Sequence, residues 1–235
     1  MTLSSSTLFH FTKKMDTLLF ILKDGFWPRY CIEKGWGNRD IDFALPMVCF
    51  CDIPLAQISE HTTFYGNFGI GVCAKWIKKV KNLSPVQYIS LNSALYNRVN
   101  RELTKLKNRK YGELDYEYLS RVKKVSGEIK NEVDKNKIKK YYDEREWRYV
   151  PDMPVQQLIV PVDKKTGCDP LKLSEQTKDM KLALECDEIR YLIVPDEKAR
   201  KKLIGELTNK MNLDQNQLYL LLSRIVSLDL IKKDC

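Results

Sequence analysis

The sequence predicts an α+β fold, a split sheet with helices packed on it, and three observations lead there. Short stretches rich in β-branched and aromatic residues are interspersed with amphipathic helical stretches along the whole chain. Glycine and proline punctuate the joins between them. A hydrophobic content of 43% over 235 residues supplies the core of a single domain spanning 1–235.

Taken in order, Thr7 to Thr12 reads as a strand, and Lys13 to Lys23 as a helix with apolar positions at Met15, Leu18, Leu19 and Leu22, stopped by Asp24-Gly25. Phe26 to Leu45 shows no clean period and carries Pro28, Gly35 and Gly37, so it is expected to be a loop. Met47 to Cys51 reads as a second strand, and Asp52 is a candidate cap for a helix opening at Pro54 and running to Phe64. Phe68 to Ala74 follows as a strand whose Gly69 and Gly71 permit a close approach, then a helical turn at Ala74 to Val80 and a strand at Pro85 to Ile89. From Leu91 to Lys140 the pattern is long, charged and helical, a basic insertion at 91–140 within the domain. Strands return at Arg145 to Val150, Gln157 to Val162 and Glu188 to Val194. Helices are expected at Asp196 to Asn209 and Asp214 to Ser223, and the tail from Arg224 suits one more strand or helix.

Composition excludes several classes. The longest apolar runs, Thr17 to Leu22 and Leu218 to Leu222, fall far short of the roughly 18 residues of a membrane span. The first residues lack the basic region and apolar core of a secretory signal, and seven cysteines at irregular spacing read as reduced thiols, so a cytoplasmic protein with no membrane partner is expected. Cys49 and Cys51 have no second ligand pair at zinc spacing, and His10 and His61 are the chain's two histidines, so no metal is expected. The net charge of +9 is concentrated between Arg98 and Lys140, where 14 basic residues face 7 acidic ones. That surplus suits a solvated helical face or a polyanionic partner.

Chemistry is expected around Tyr142-Asp143-Glu144-Arg145-Glu146-Trp147-Arg148-Tyr149-Val150, closed by Pro151. As a strand it puts Glu144, Glu146 and Arg148 on one face and Arg145, Trp147 and Tyr149 on the other. Such a face can be a set of structural Glu/Arg pairs or a site that holds a polar substrate.

Two short segments carry a resemblance. Leu8-Phe9-His10-Phe11-Thr12, a helix containing Ile21-Leu22, and Gly25-Phe26 resemble the opening of the ADP-ribosyltransferase superfamily, its diphtheria-toxin-like branch in particular. Val48-Cys49-Phe50-Cys51-Asp52 and a helix ending in Phe64-Tyr65 are similar to that family's second block, with Cys49 where an aromatic is usual. The resemblance implies an ADP-ribosyltransferase-like split antiparallel sheet flanked by helices, and NAD as substrate. His10 would hold the NAD ribose with Thr12 beside it. Phe50 would line the pocket, Tyr65 would stack on nicotinamide, and Arg29 would grip the pyrophosphate. Glu146 would be the catalytic carboxylate, with Glu144 its alternative and Arg148 keeping it ionised. The resemblance thus implies one cleft shared by His10, Thr12, Tyr65 and Glu146.

Over most of residues 7 to 195, LFHFTKK, MVCFCDIPL, YGNFGIGV and DEREWRYVP together resemble the AbiGi family of abortive-infection proteins of bacterial phage defence. That family is described as an antitoxin paired with a nucleotidyltransferase-like toxin. Two functions follow from these resemblances: a transferase-like enzyme that modifies a nucleic-acid or protein target, or a non-catalytic antitoxin or regulator that binds a partner toxin or a nucleotide signal.

Overall fold

The computed structural model describes residues 6–36, 41–107, 115–128, 138–162 and 169–234. Strand β1 (Thr7–Thr12) and helix α1 (Met15–Asp24) stand where the sequence puts them, and Met15, Leu18 and Ile21 form the buried stripe of α1. Gly25 ends that helix at φ 82°, and a Cβ there would run into the Leu182 carbonyl, so the stop is steric as well as conformational. The loop expected from Phe26 to Leu45 is corrected: β2 (Arg29–Trp36) and β3 (Ile41–Cys51) pair antiparallel across it, from Arg29 opposite Met47 to Trp36 opposite Ile41. Alternation is hidden because Phe43 to Val48 is buried without a break, as in a strand covered on both faces.

Asp52 does not cap the next helix. A 3-10 turn (Leu55–Gln57) starts after Pro54 without a side-chain cap and leads into α2 (Ile58–Tyr65). Strand β4 (Phe68–Cys73) and helix α3 (Ala74–Lys79) follow, and the strand expected at Pro85 to Ile89 is two short ones, β5 (Leu83–Pro85) and β6 (Gln87–Ile89). The 91–140 stretch mixes two helices, α4 (Ala94–Lys107) and α5 (Asp115–Ser120), with the strands β7 (Val122–Lys124), β8 (Ser126–Glu128) and β9 (Ile138–Lys140). The remainder of that segment, 108–114 and 129–137, lies outside the described residues. A 3-10 turn (Tyr141–Glu144) replaces the start of the expected Glu/Arg strand, leaving β10 (Glu146–Tyr149). The run from Gln157 to Val162 divides into the end of α6 (Val155–Leu158) and β11 (Val160–Val162). After α7 (Pro170–Ser174) and β12 (Ile189–Val194) come α8 (Glu197–Lys210) and α9 (Gln215–Leu222), capped by Asp196 and by a reciprocal Asp214–Gln217 box. Both options for the tail are realised, as β13 (Ile225–Ser227) and α10 (Leu228–Asp234).

Two compact units are present, one built from Met1–Trp27, Cys49–Lys81 and Lys181–Cys235, the other from Pro28–Val48 and Asn82–Met180. In the first, the strands run β13-β12-β4-β1, with Cys51 at the end of β3 opposite Phe9. Strands β1 and β4 are antiparallel from Thr7 opposite Cys73 to Thr12 opposite Phe68, but β12 and β13 are parallel. The sheet is therefore mixed, which corrects the wholly antiparallel expectation. One face buries Phe9, Phe11, Cys51, Ile53, Ile58, Ile193, Leu228 and Ile231 together. Gly69 and Gly71 make that face possible, since a Cβ on either would lie 2.7 Å from the Phe11 ring or 2.9 Å from the Phe9 ring.

In the second unit β3 is flanked by β2 and β11, β10 pairs antiparallel with β5, β6 is parallel to β7, and β8 is antiparallel to β9. Helix α7 is tied to β2 by the Tyr30 N–H, which donates to Ser174 Oγ at 3.0 Å. The turn after it is held by the Thr177 hydroxyl, which donates to the Pro28 carbonyl at 2.5 Å.

Among the described residues, no helix is long and apolar enough to cross a membrane.

Gly66, at φ 113°, has no room for a Cβ against the Thr12 carbonyl and the Lys13 nitrogen. Gly66→Ala is expected to lower unfolding free energy by at least about 1–3 kcal/mol, the cost of one residue held in such a region. Urea denaturation measures it, and a variant as stable as the parent would contradict the packing described.

Candidate functional site

The Glu/Arg stretch builds a buried ion lattice. Arg145 sits at φ 44°, ψ 50° between the 3-10 turn and β10, a left-handed backbone that costs a non-glycine residue roughly 1–2 kcal/mol. This bend aims two neighbouring carboxylates at one cation: Lys123 Nζ lies 2.7 Å from Glu144 Oε2 and 2.7 Å from Glu146 Oε2. An unbent strand would leave alternate side chains about 7 Å apart. Lys139 Nζ reaches the other Glu144 oxygen at 2.6 Å. Arg148 Nε donates to Glu146 Oε1 at 2.6 Å, its Nη2 to Glu33 Oε1 at 2.6 Å, and its Nη1 to the Ser120 carbonyl at 3.1 Å. Three carboxylates (Glu33, Glu144, Glu146) thus meet three cations (Lys123, Lys139, Arg148).

Burial decides what this lattice can do. Arg148 has no exposed surface and Glu146 is 6% exposed, so their desolvation is offset by the lattice itself and not by water. Burial alone would raise the Glu146 pKa, but the charges of Arg148 and Lys123, with their hydrogen bonds, hold it far below the usual carboxylate range. Burial likewise works to lower Lys123, yet Glu146, Glu33 and Glu144 together keep it well above an ordinary lysine. The backbone N–H of Glu146 donates to the Tyr88 hydroxyl oxygen at 2.9 Å, and Lys123 lies over the Tyr141 ring at 4.9 Å. Both oxygens of Glu146 are therefore occupied by cations of the chain itself.

His10 belongs to the other unit, on β1. Its Nδ1 is 2.8 Å from the Cys49 carbonyl oxygen, which can only accept, so Nδ1 carries the proton. Burial lowers the His10 pKa, against the raising effect of the Cys49 bond, and keeps the ring neutral with Nε2 as a lone-pair acceptor. Phe26 packs against the imidazole edge at 5.3 Å and Phe50 at 5.8 Å, and Trp76 closes the aromatic group behind them at 5.5 Å from Phe26.

The expected site residues therefore fall into two sets. Glu144, Glu146 and Arg148 meet in the ion lattice, and Arg29 stands exposed on β2 of the same unit. His10, Thr12, Phe50 and Tyr65 share the first unit: Thr12 ends β1 opposite Phe68, Phe50 flanks His10, and Tyr65 is 36% exposed and stacked on His61 at 4.4 Å. Sequence reasoning missed Lys123, Lys139 and Glu33. Alternation offers no local hint, because Lys123 and Lys124 are adjacent on β7 and the pattern of their strand does not tell which of them turns towards the glutamates.

Glu146→Gln leaves Arg148 and Lys123 short of a buried counter-charge and is expected to destabilise the fold by about 3–5 kcal/mol. Because the folded pKa of Glu146 is depressed, its contribution is complete above the unfolded value of about 4.5 and is lost as pH falls below it. Melting temperature followed from pH 7 to pH 3 should fall more steeply for the parent than for Glu146→Gln, and parallel profiles would contradict the lattice.

Comparison with known proteins gives the following. The sequence model of the family described as "Putative abortive phage resistance protein AbiGi, antitoxin" matches residues 24–195. A relative from Lactococcus lactis subsp. cremoris, "Abortive phage resistance protein AbiGi", is 29% identical over 257 aligned residues that cover 89% of this chain and 99% of the relative. No solved structure matches.

Proposed function

Since this chain belongs to the AbiGi family, we propose that it acts in anti-phage abortive infection as an antitoxin, a non-catalytic binding module that restrains a partner toxin. The observation that carries the reading is the condition of Glu146. Transfer of ADP-ribose requires an ionised carboxylate that can reach a ribose hydroxyl as nicotinamide leaves. Glu146 is ionised, but Arg148 and Lys123 hold both its oxygens at 2.6 Å and 2.7 Å inside the protein. A carboxylate paired in this way and only 6% exposed serves to neutralise the chain's own buried cations and is poorly placed to meet a ribose hydroxyl. The description "antitoxin" carried by the family supports the same reading.

A second reading, an ADP-ribosyltransferase-like protein binding NAD or another nucleotide, is favoured by His10. A neutral imidazole fixed at Nδ1 and presenting Nε2 suits a ribose hydroxyl donor. In that reading Arg98 and Arg101, exposed on α4, would steer a nucleic-acid target by phosphate contacts.

One pair of measurements separates the readings. The purified chain, incubated with nicotinamide-labelled NAD, cell nucleic acid and lysate, is expected to release no nicotinamide, and its co-expression with a partner toxin is expected to restore the growth that the toxin arrests. Nicotinamide release that disappears in a stably folded His10→Ala variant would reverse the order of the two readings, and failure to restore growth would remove the first.

A further inference from the structure

Helix α8 carries an outer face that the fold does not use. Leu203 and Leu207 are buried, with 0% and 1% exposure, and fix which side of the helix meets the core. At 100° per residue the opposite side runs through Lys198, Lys201, Gly205 and Thr208, with Lys202 and Asn209 alongside. Lys198, Lys201, Lys202, Thr208 and Asn209 are all exposed. None of the three lysines forms an ion pair among the described residues, whereas Arg200 and Lys210 on the same helix pair with Glu197 and Glu206.

Gly205 is the unexplained residue of this face. It lies in the middle of a 14-residue helix, where glycine is the worst choice after proline. A Cβ built on it meets nothing within 4 Å, so neither crowding nor an unusual backbone angle requires glycine there. Elsewhere in the chain the reason is visible, as at Gly69 and Gly71 under the phenylalanine rings. A notch kept open on an exposed helix, ringed by unpaired lysines, is what a close-packed partner needs.

We propose that this face of α8 is the docking surface for an acidic protein partner, with the Gly205 notch receiving one of the partner's side chains and Lys198, Lys201 and Lys202 meeting its carboxylates. The inference rests on the antitoxin reading and assigns the toxin as that partner. Charge complementarity sets the sign, because a basic face on a chain of net charge +9 selects an acidic surface. The notch favours a protein over a nucleic acid. Lysine side chains hold a phosphate backbone several ångströms off a helix, a distance at which one missing methyl makes no difference.

The test uses the full chain, its toxin and three variants. Lys198→Glu/Lys201→Glu/Lys202→Glu and Gly205→Leu should each bind the toxin at least ten-fold more weakly than the parent, with melting temperatures unchanged or raised. Gly205→Ala should melt higher than the parent, as a helix does when glycine is replaced, and bind within a few-fold of it. Parent-like binding by both the triple variant and Gly205→Leu overturns the docking surface while leaving the antitoxin reading intact. A parent that binds no toxin overturns that reading and the surface with it. Loss of toxin binding in the triple variant alone removes the notch. A duplex-DNA complex abolished by charge reversal and untouched by Gly205→Leu replaces the protein partner with nucleic acid.

Discussion

The salt link between Arg148 and Glu146 is the constraint on which the second unit depends. Arg148 is among the largest wholly buried side chains in the molecule, and each of its donors has to find an oxygen inside the protein. Glu146 takes Nε, Glu33 takes Nη2 and the Ser120 carbonyl takes Nη1, so one guanidinium fixes β10, β2 and the end of α5 relative to one another. Lys123 then ties β7 to the same strand through Glu144 and Glu146. Hydrophobic contacts alone would tolerate a small slip between these short strands, whereas a three-by-three set of charges has one arrangement in which every member is neutralised.

How much of this was legible in the sequence depends on the range of the contact. Alternation from Glu146 to Tyr149 was readable, and Glu146 and Arg148 are buried while Trp147 and Tyr149 are half-buried; Glu144 is buried through the 3-10 turn and the bend at Arg145 instead. What those charges face was not readable, because Lys123 and Glu33 lie 23 residues from Glu146 and 115 from Arg148. The local pattern therefore suited a substrate site as well as a self-contained lattice, and tertiary contacts decide in favour of the lattice. Composition likewise does not reveal that two lysines of the basic 98–140 segment, Lys123 and Lys139, are paired with internal glutamates. The first half of β3 was hidden by the opposite effect, a run of six buried residues in which no polar face marks the period.

The first unit was more readable because its signals are local. A strand, an amphipathic helix and a glycine stop within the first 25 residues came out as written, and so did the two helices that start at Asp196 and Asp214, whose capping by those side chains the structure adds. The His10 tautomer was not accessible, since it is set by a carbonyl 39 residues away. The same unit shows how backbone economy serves packing: two glycines on β4 let two phenylalanines of β1 lie against the sheet, so the core cluster is dense without large residues on every strand.

The order in which the ribosome delivers the chain sets these two units apart. The second unit is complete in sequence at Met180, while the first still lacks everything from Lys181 onward. Phe9 and Phe11 are synthesised at the start, yet their neighbours Ile193, Leu228 and Ile231 arrive at the end. At about 5–20 residues per second, the missing segment takes roughly 3–11 s to emerge. Throughout that interval the nascent chain carries an apolar strand that lacks part of its cover, and a premature stop soon after Met180 leaves one unit complete in sequence and the other open.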